Sequence, residues 1–286
     1  MKLKSIGKIL LSCIAAGVLF AGCGGGDKPA ANAPAEDEIK VGMITHLNVT
    51  EKKLDEIYAQ AIERAGLKLS NYVFTYYDNL KLMQMGIESG SVDQISLYDS
   101  VADYLVANND KYEVLSNNSM KAFADNFCFA VRKDETQLKA DLDKVIGEMK
   151  SDGSLEKLTN DYIVNVDKGK EPPKIEIPMT DGAQTIKVGV TGDLPPLDYV
   201  NADGTAAGFN TALLAEVAKR LGKNIELVPI ESGERASALS SNKIDIIFWA
   251  ILPVGDYIPS DIDKPEGVEF SEPYFKDNVT HLKLKK

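Results

Sequence analysis

Histidine, cysteine and tryptophan are scarce in this sequence: 286 residues contain two histidines, three cysteines and one tryptophan. His46 and His281 lie far from Cys128 in the chain, which argues against a histidine or cysteine metal site. Cys13 and Cys23 both fall in an N-terminal segment with its own role, so Cys128 stands alone and no internal disulfide is expected. Within "NFCFAV" Cys128 alternates with apolar neighbours and reads as a small core residue. Positive charge is also short, with 32 Lys and Arg against 43 Asp and Glu and a net charge of -11. Without a basic patch to displace counterions, a nucleic-acid partner is not expected. Hydrolase and phosphate-loop motifs are missing, and no histidine or paired-carboxylate spacing marks an acid–base site. No cofactor is expected.

The N-terminus carries Lys2, Lys4 and Lys8, then an apolar stretch from Ile9 to Phe20, then Ala21-Gly22-Cys23. That order is an export signal. The stretch is shorter than the roughly 20 residues a membrane-spanning helix needs, so it reads as a cleaved segment. "LFAGC" resembles a bacterial lipobox, which implies lipidation of Cys23, although Phe20 stands where leucine is usual. An ordinary signal peptide cut near Ala21 is the alternative. Residues 1–22 are thus read as signal and residues 23–38, rich in Gly, Ala and Pro, as a flexible tether. The expected location is extracytoplasmic, on a membrane through the lipid.

Beyond the tether, "EIKVGMI" from Glu38 and "TIKVGV" from Thr185 each place a β-rich run before a turn, as the opening strand of an α/β unit. Between them residues 165–184, with Pro172, Pro173 and Pro178, read as a linker. Leu54, Ile57, Tyr58, Ala61, Ile62 and Ala65 form one helical face, with Asn48 and Glu51 as a capping box at its start. Strands are expected at 72–78, at "VDQISLYDS" ending in Asp99, and at 127–133, and an amphipathic helix at Leu138 to Met149. A helix from Gly208-Phe209 should stop at Gly222, followed by strands at 225–230 and 244–252. Alternation of strand and helix predicts parallel, doubly wound sheets.

Segment 186–222, "IKVGVTGDLPPLDYVNADGTAAGFNTALLAEVAKRLG", together with "LSSNKIDII" and "VEFSEPYFKD", resembles the first lobe of the amino-acid-type periplasmic solute-binding proteins of ABC importers. Residues 85–106 and 129–163 resemble that family's second lobe and the helix that normally closes its chain. The resemblance implies an α/β, two-lobed periplasmic-binding-protein fold, each lobe a mostly parallel sheet flanked by helices, joined by a hinge. Residues 39–164 would be the second lobe and 185–286 the first, a circularly permuted order. A linker of this length reaches on the order of tens of ångströms, which makes a single-chain permuted form feasible. A dimer that exchanges lobes is the alternative.

The function implied is capture of an amino acid or related small amine or zwitterion in an inter-lobe cleft, with an ABC permease as partner. An enzyme of the same fold (dehydratase-like), or a sensing or regulatory module without a transport role, competes with it. Asp99 falls where the family keeps an amine-binding aspartate; a turn acid or helix cap is its other reading. Asn48 falls near a helix start that donates to an anion in the family, and a plain cap is again the alternative. The family's carboxylate-clamping arginine has no counterpart in "LPVGDYIPSDIDKPEG". Arg235 is a substitute for that clamp or a surface salt-bridge partner. Trp249 is a cleft wall or a core filler, and Leu194 sits where relatives carry a stacking aromatic, beside Asp193 at the same mouth. With Asp99 and Asp193 both facing the cleft, a cationic or zwitterionic ligand would follow.

Overall fold

A computed structural model describes residues 38–66, 72–115 and 122–286. The export signal, Cys23 and the tether up to residue 37 lie outside the described residues. No described helix is long and apolar enough to cross a membrane.

The first piece runs β1 (Ile39–Ile44), α1 (Glu51–Arg64), β2 (Tyr72–Tyr77), α2 (Leu80–Glu88), β3 (Gln94–Tyr98), α3 (Asp99–Asn108), β4 (Tyr112–Val114), β5 (Ala124–Arg132), α4 (Thr136–Ser151) and α5 (Ser154–Thr159). A π-helical turn at Asn160–Val164 follows. The remainder is β6 (Thr185–Val190), β7 (Asp193–Leu194), β8 (Asp198–Val200), β9 (Ala206–Ala207), α6 (Gly208–Leu221), β10 (Asn224–Pro229), α7 (Arg235–Ser240), β11 (Ile246–Pro253), β12 (Val268–Phe270) and β13 (Phe275–Leu284). Residues 165–184 contribute only an isolated bridge from Lys174 to Ala207.

Ten strands form one sheet in the order β10-β6-β11-β5-β13-β3-β1-β2, with β12 on β5 and β4 on β13. β10, β6 and β11 are mutually parallel, and so are β2, β1 and β3. The two parallel halves meet through the antiparallel strands β5 and β13. Phe275 to Asn278 of β13 pair with β5, whereas Val279 to Leu282 pair with β3. One unbroken strand therefore passes from one half to the other. Its ten residues, Phe275–Leu284, begin inside the segment "VEFSEPYFKD", where spacing alone does not predict a strand.

Helical periodicity translated directly into packing. α1 buries Leu54, Ile57, Tyr58 and Ala61, and α4 buries Leu138, Leu142, Val145, Ile146 and Met149. α6 ends at Gly222, whose left-handed φ of 62° suits a residue without a Cβ. The start of α1 differs from expectation. Thr50 is its N-cap, its hydroxyl accepting from the Lys53 amide, while the Glu51 carboxylate accepts from the Tyr76 amide. The Asn48–Glu51 capping box is therefore not formed. Asp99 opens α3 instead of closing β3, a shift of one residue.

Gly208 begins α6 with φ of 85°, and a Cβ there would lie 2.6 Å from the Pro196 carbonyl oxygen. Both the left-handed backbone and the backbone contact oppose a side chain. Gly208→Ala should lower unfolding stability by about 3 kcal/mol, read as a reduced denaturant midpoint.

Candidate functional site

Loops that leave the C-terminal ends of parallel strands are the natural binding edge of an open α/β sheet. Here the loop after β1 faces the loop after β11 across the seam between the halves. Beneath them lies a cavity of about 810 Å³ of empty space, part of it open to solvent. Its walls are mainly apolar; the chemistry-bearing residues on it are His46, Tyr98, Asp125, Trp249 and Asp263, with Leu194 beside them. A smaller cavity of about 330 Å³ adjoins it and shares Tyr98, Leu194 and Trp249.

Trp249 reaches these cavities because β11 is irregular at that point. Ile247 pairs with Ala130 and Ala250 with Cys128, so Phe248 and Trp249 together oppose Phe129 alone. Strict alternation would send neighbouring side chains to opposite faces, and the bulge re-aims them. Both rings line the smaller cavity. The Trp249 ring is held from behind by Arg235, whose guanidinium carbon lies 3.9 Å from its centroid. Trp249 is 7% exposed, and its indole Nε1 has no hydrogen-bond partner among the described residues.

Arg235 takes neither role considered from sequence alone. It is 2% exposed, and it donates to the carbonyls of Ser232, Trp249 and Thr45 at 2.9, 3.0 and 2.6 Å. Burial lowers its pKa to about 10, so it stays cationic at neutral pH. Its donors are turned to backbone, and it lines neither cavity.

Asp263 was missed, although it lies inside the segment noted for lacking arginine. Its carboxylate accepts three backbone hydrogen bonds from the loop after β1: Leu47 at 3.0 Å, Asn48 at 2.7 Å and Val49 at 3.0 Å. It is 1% exposed, with His46 Nδ1 3.5 Å away. Burial pushes its carboxyl up, but the imidazole and the amides outweigh that, and its pKa lies below the ordinary aspartate value. Asn48 therefore takes part through its backbone, and its exposed side chain makes only a 3.5 Å contact with the Ile262 carbonyl.

Two further acids of the C-terminal piece do the same at neighbouring helices. Asp193 accepts from the amide of Leu80, first residue of α2, at 2.6 Å. Asp277 accepts from the Ser100 amide at 3.1 Å and its hydroxyl at 2.6 Å, in the first turn of α3. Asp99, half-buried in that same turn, has the Asn278 side-chain amide 3.5 Å away. Of the six residues singled out from sequence, Leu194 and Trp249 line the cavities; Asp99, Asn48, Asp193 and Arg235 do not. Asp125 was also missed. It lines the larger cavity and accepts from the Tyr98 hydroxyl at 2.8 Å, while burial pushes its carboxyl up.

Residues 186–285 match the model of the bacterial extracellular solute-binding proteins, family 3. A probable histidine-binding protein of Campylobacter jejuni is 32% identical over 101 residues, 35% of this chain and 36% of that one. The L-cystine-binding protein TcyJ of Escherichia coli is 29% identical over 98 residues, 34% of each chain. The chain thus spans about a third of the length of the curated relatives it matches. A ligand-binding component of an ABC-type import system from Staphylococcus aureus superposes with a TM-score of 0.42 at 10% identity, covering 87% of this chain and 66% of that one. The family and these relatives are binding proteins.

Burial holds the Asp193 carboxyl up at about 6, with Asp198 and Glu231 adding repulsion. The folded state therefore keeps a proton that the unfolded chain, near the ordinary 3.8, releases. Its contribution to stability falls as pH rises from about 4 through 6. Asp193→Asn should be more stable relative to wild type at pH 7.5 than at pH 4.5, measured by urea unfolding at both.

Proposed function

We propose that this protein is the extracytoplasmic binding component of an ABC-type uptake system, and that it captures an amino acid or a related small amine or zwitterion in the seam cavity. One observation carries the reading. A cavity walled by both halves of the sheet holds a buried polar atom with no hydrogen-bond partner among the described residues, the Trp249 Nε1. Such concave, mainly apolar sites with a few convergent polar groups are the usual form of small-molecule pockets. The family match at 186–285 and the amino-acid names of the relatives support the same ligand class.

In this reading residues 39–164 and 185–286 are the two lobes of one binding protein in circularly permuted order, joined by 165–184, with Cys23 lipidated and an ABC permease as partner. In this reading β13 pairs with β5 and β3 within one chain, as a monomer requires.

A panel of amino acids, polyamines and aromatic amines should contain a compound that raises the thermal midpoint. At 100 times its dissociation constant a ligand adds about 2.7 kcal/mol. No shift with any compound would count against capture. Because Trp249 is the sole tryptophan and lines both cavities, the same compound should change the intrinsic emission. Sedimentation of the full chain in detergent, with the detergent contribution matched out, should give the mass of one chain.

A further inference from the structure

Helix starts are the natural seats for anions, because their first amides have no intrahelical acceptor and the helix dipole is positive there. β1, β2 and β3 are parallel neighbours, and the turns after them lead into α1, α2 and α3. All three turns are already occupied by carboxylates of the same chain: Asp263 on the amides of 47–49, Asp193 on Leu80, and Asp277 on Ser100. Among residues lining the larger cavity there is no lysine or arginine. Arg235, behind Trp249, gives three of its five N–H donors to backbone carbonyls and lines neither cavity.

A ligand carboxylate entering this cavity meets two acids, Asp125 and Asp263, and finds the strongest donor set taken. An ammonium group meets the opposite situation. Asp125 faces the cavity from strand β5, accepting from the Tyr98 hydroxyl at 2.8 Å, with no lysine or arginine among the other described lining residues. Around it Tyr58, Tyr98, Trp249, Leu194 and Ile251 offer an apolar body a wall.

We infer that Asp263 is a built-in carboxylate that fills the anion seat of the site, so that the ligand is a primary amine with an apolar body and no carboxylate, its ammonium on Asp125. This rests on the capture reading above and narrows it. Asp263 sets specificity by exclusion: it satisfies the amides a ligand carboxylate would need and adds a like charge against it. Asp125 supplies the attraction, a charge-assisted hydrogen bond on the cavity wall.

Matched pairs that differ only by the carboxylate test this directly on the full-length protein in detergent, by calorimetry and tryptophan emission. The probes are isoamylamine against leucine, phenethylamine against phenylalanine, and tryptamine against tryptophan. At least one amine should bind tenfold or more tighter than its amino acid. An amino acid that binds as tightly as its amine, or tighter, overturns the inference while leaving capture intact. Binding of none of the six overturns the inference, and capture then depends on the wider panel. Two variants locate the groups. Asp125→Asn should weaken the best amine tenfold or more. Asp263→Ala should bring the matched amino acid to within threefold of the amine, with circular dichroism establishing that each variant is folded. Unchanged selectivity in a folded Asp263→Ala protein overturns the role given to Asp263.

Discussion

Carboxylates from the C-terminal piece seated on helix starts of the N-terminal piece hold the seam together. The first turns of α2 and α3 have amides that no helical carbonyl can satisfy and receive Asp193 and Asp277, while Asp263 takes the loop amides of 47–49 just ahead of the α1 cap. A neighbouring imidazole, more than the number of donors, decides whether burial wins. Asp193 and Asp277 have carboxyls pushed up, because desolvation outweighs an amide and a hydroxyl on Asp193, and two amides and a hydroxyl on Asp277. Asp263 is pushed the other way by three amides and a nearby imidazole. Of the three it is the one most firmly held as an anion, and it lies on the cavity wall.

The same seam depends on β13. A strand whose first half pairs with β5 and whose second half pairs with β3 makes one sheet of two parallel halves. It also carries Asp277 to the start of α3 and sets Val279 against the cavity. Arg235 adds a direct tie, from a helix of the C-terminal piece to the Thr45 carbonyl just after β1, while its guanidinium fixes the Trp249 ring. Cavity wall and seam are therefore made by the same few contacts.

Most elements were readable in the sequence, because burial imposes a period on side chains. The faces of α1 and α4, the glycine stop of α6 and the parallel strands all followed from spacing. Elements shorter or less periodic were harder: β13 alternates polar and apolar residues weakly at its start and was not recognised as a strand. Trp249 was identified as a wall candidate, but the bulge that turns it inward depends on register against Phe129, a residue 120 positions earlier in the chain.

The sequence by itself determined the α/β class, the position of the helices and the acidic, cysteine-poor character, since each depends on composition or on neighbours a few residues apart. Only the tertiary structure decided where charge goes. Asp263 and Asn48 are 215 residues apart, and no local pattern links them. A carboxylate reads the same in sequence whether it faces water, a ligand or the amides of a distant helix. Its role is fixed by which donors the fold brings within 3 Å, and that depends on packing across the whole chain.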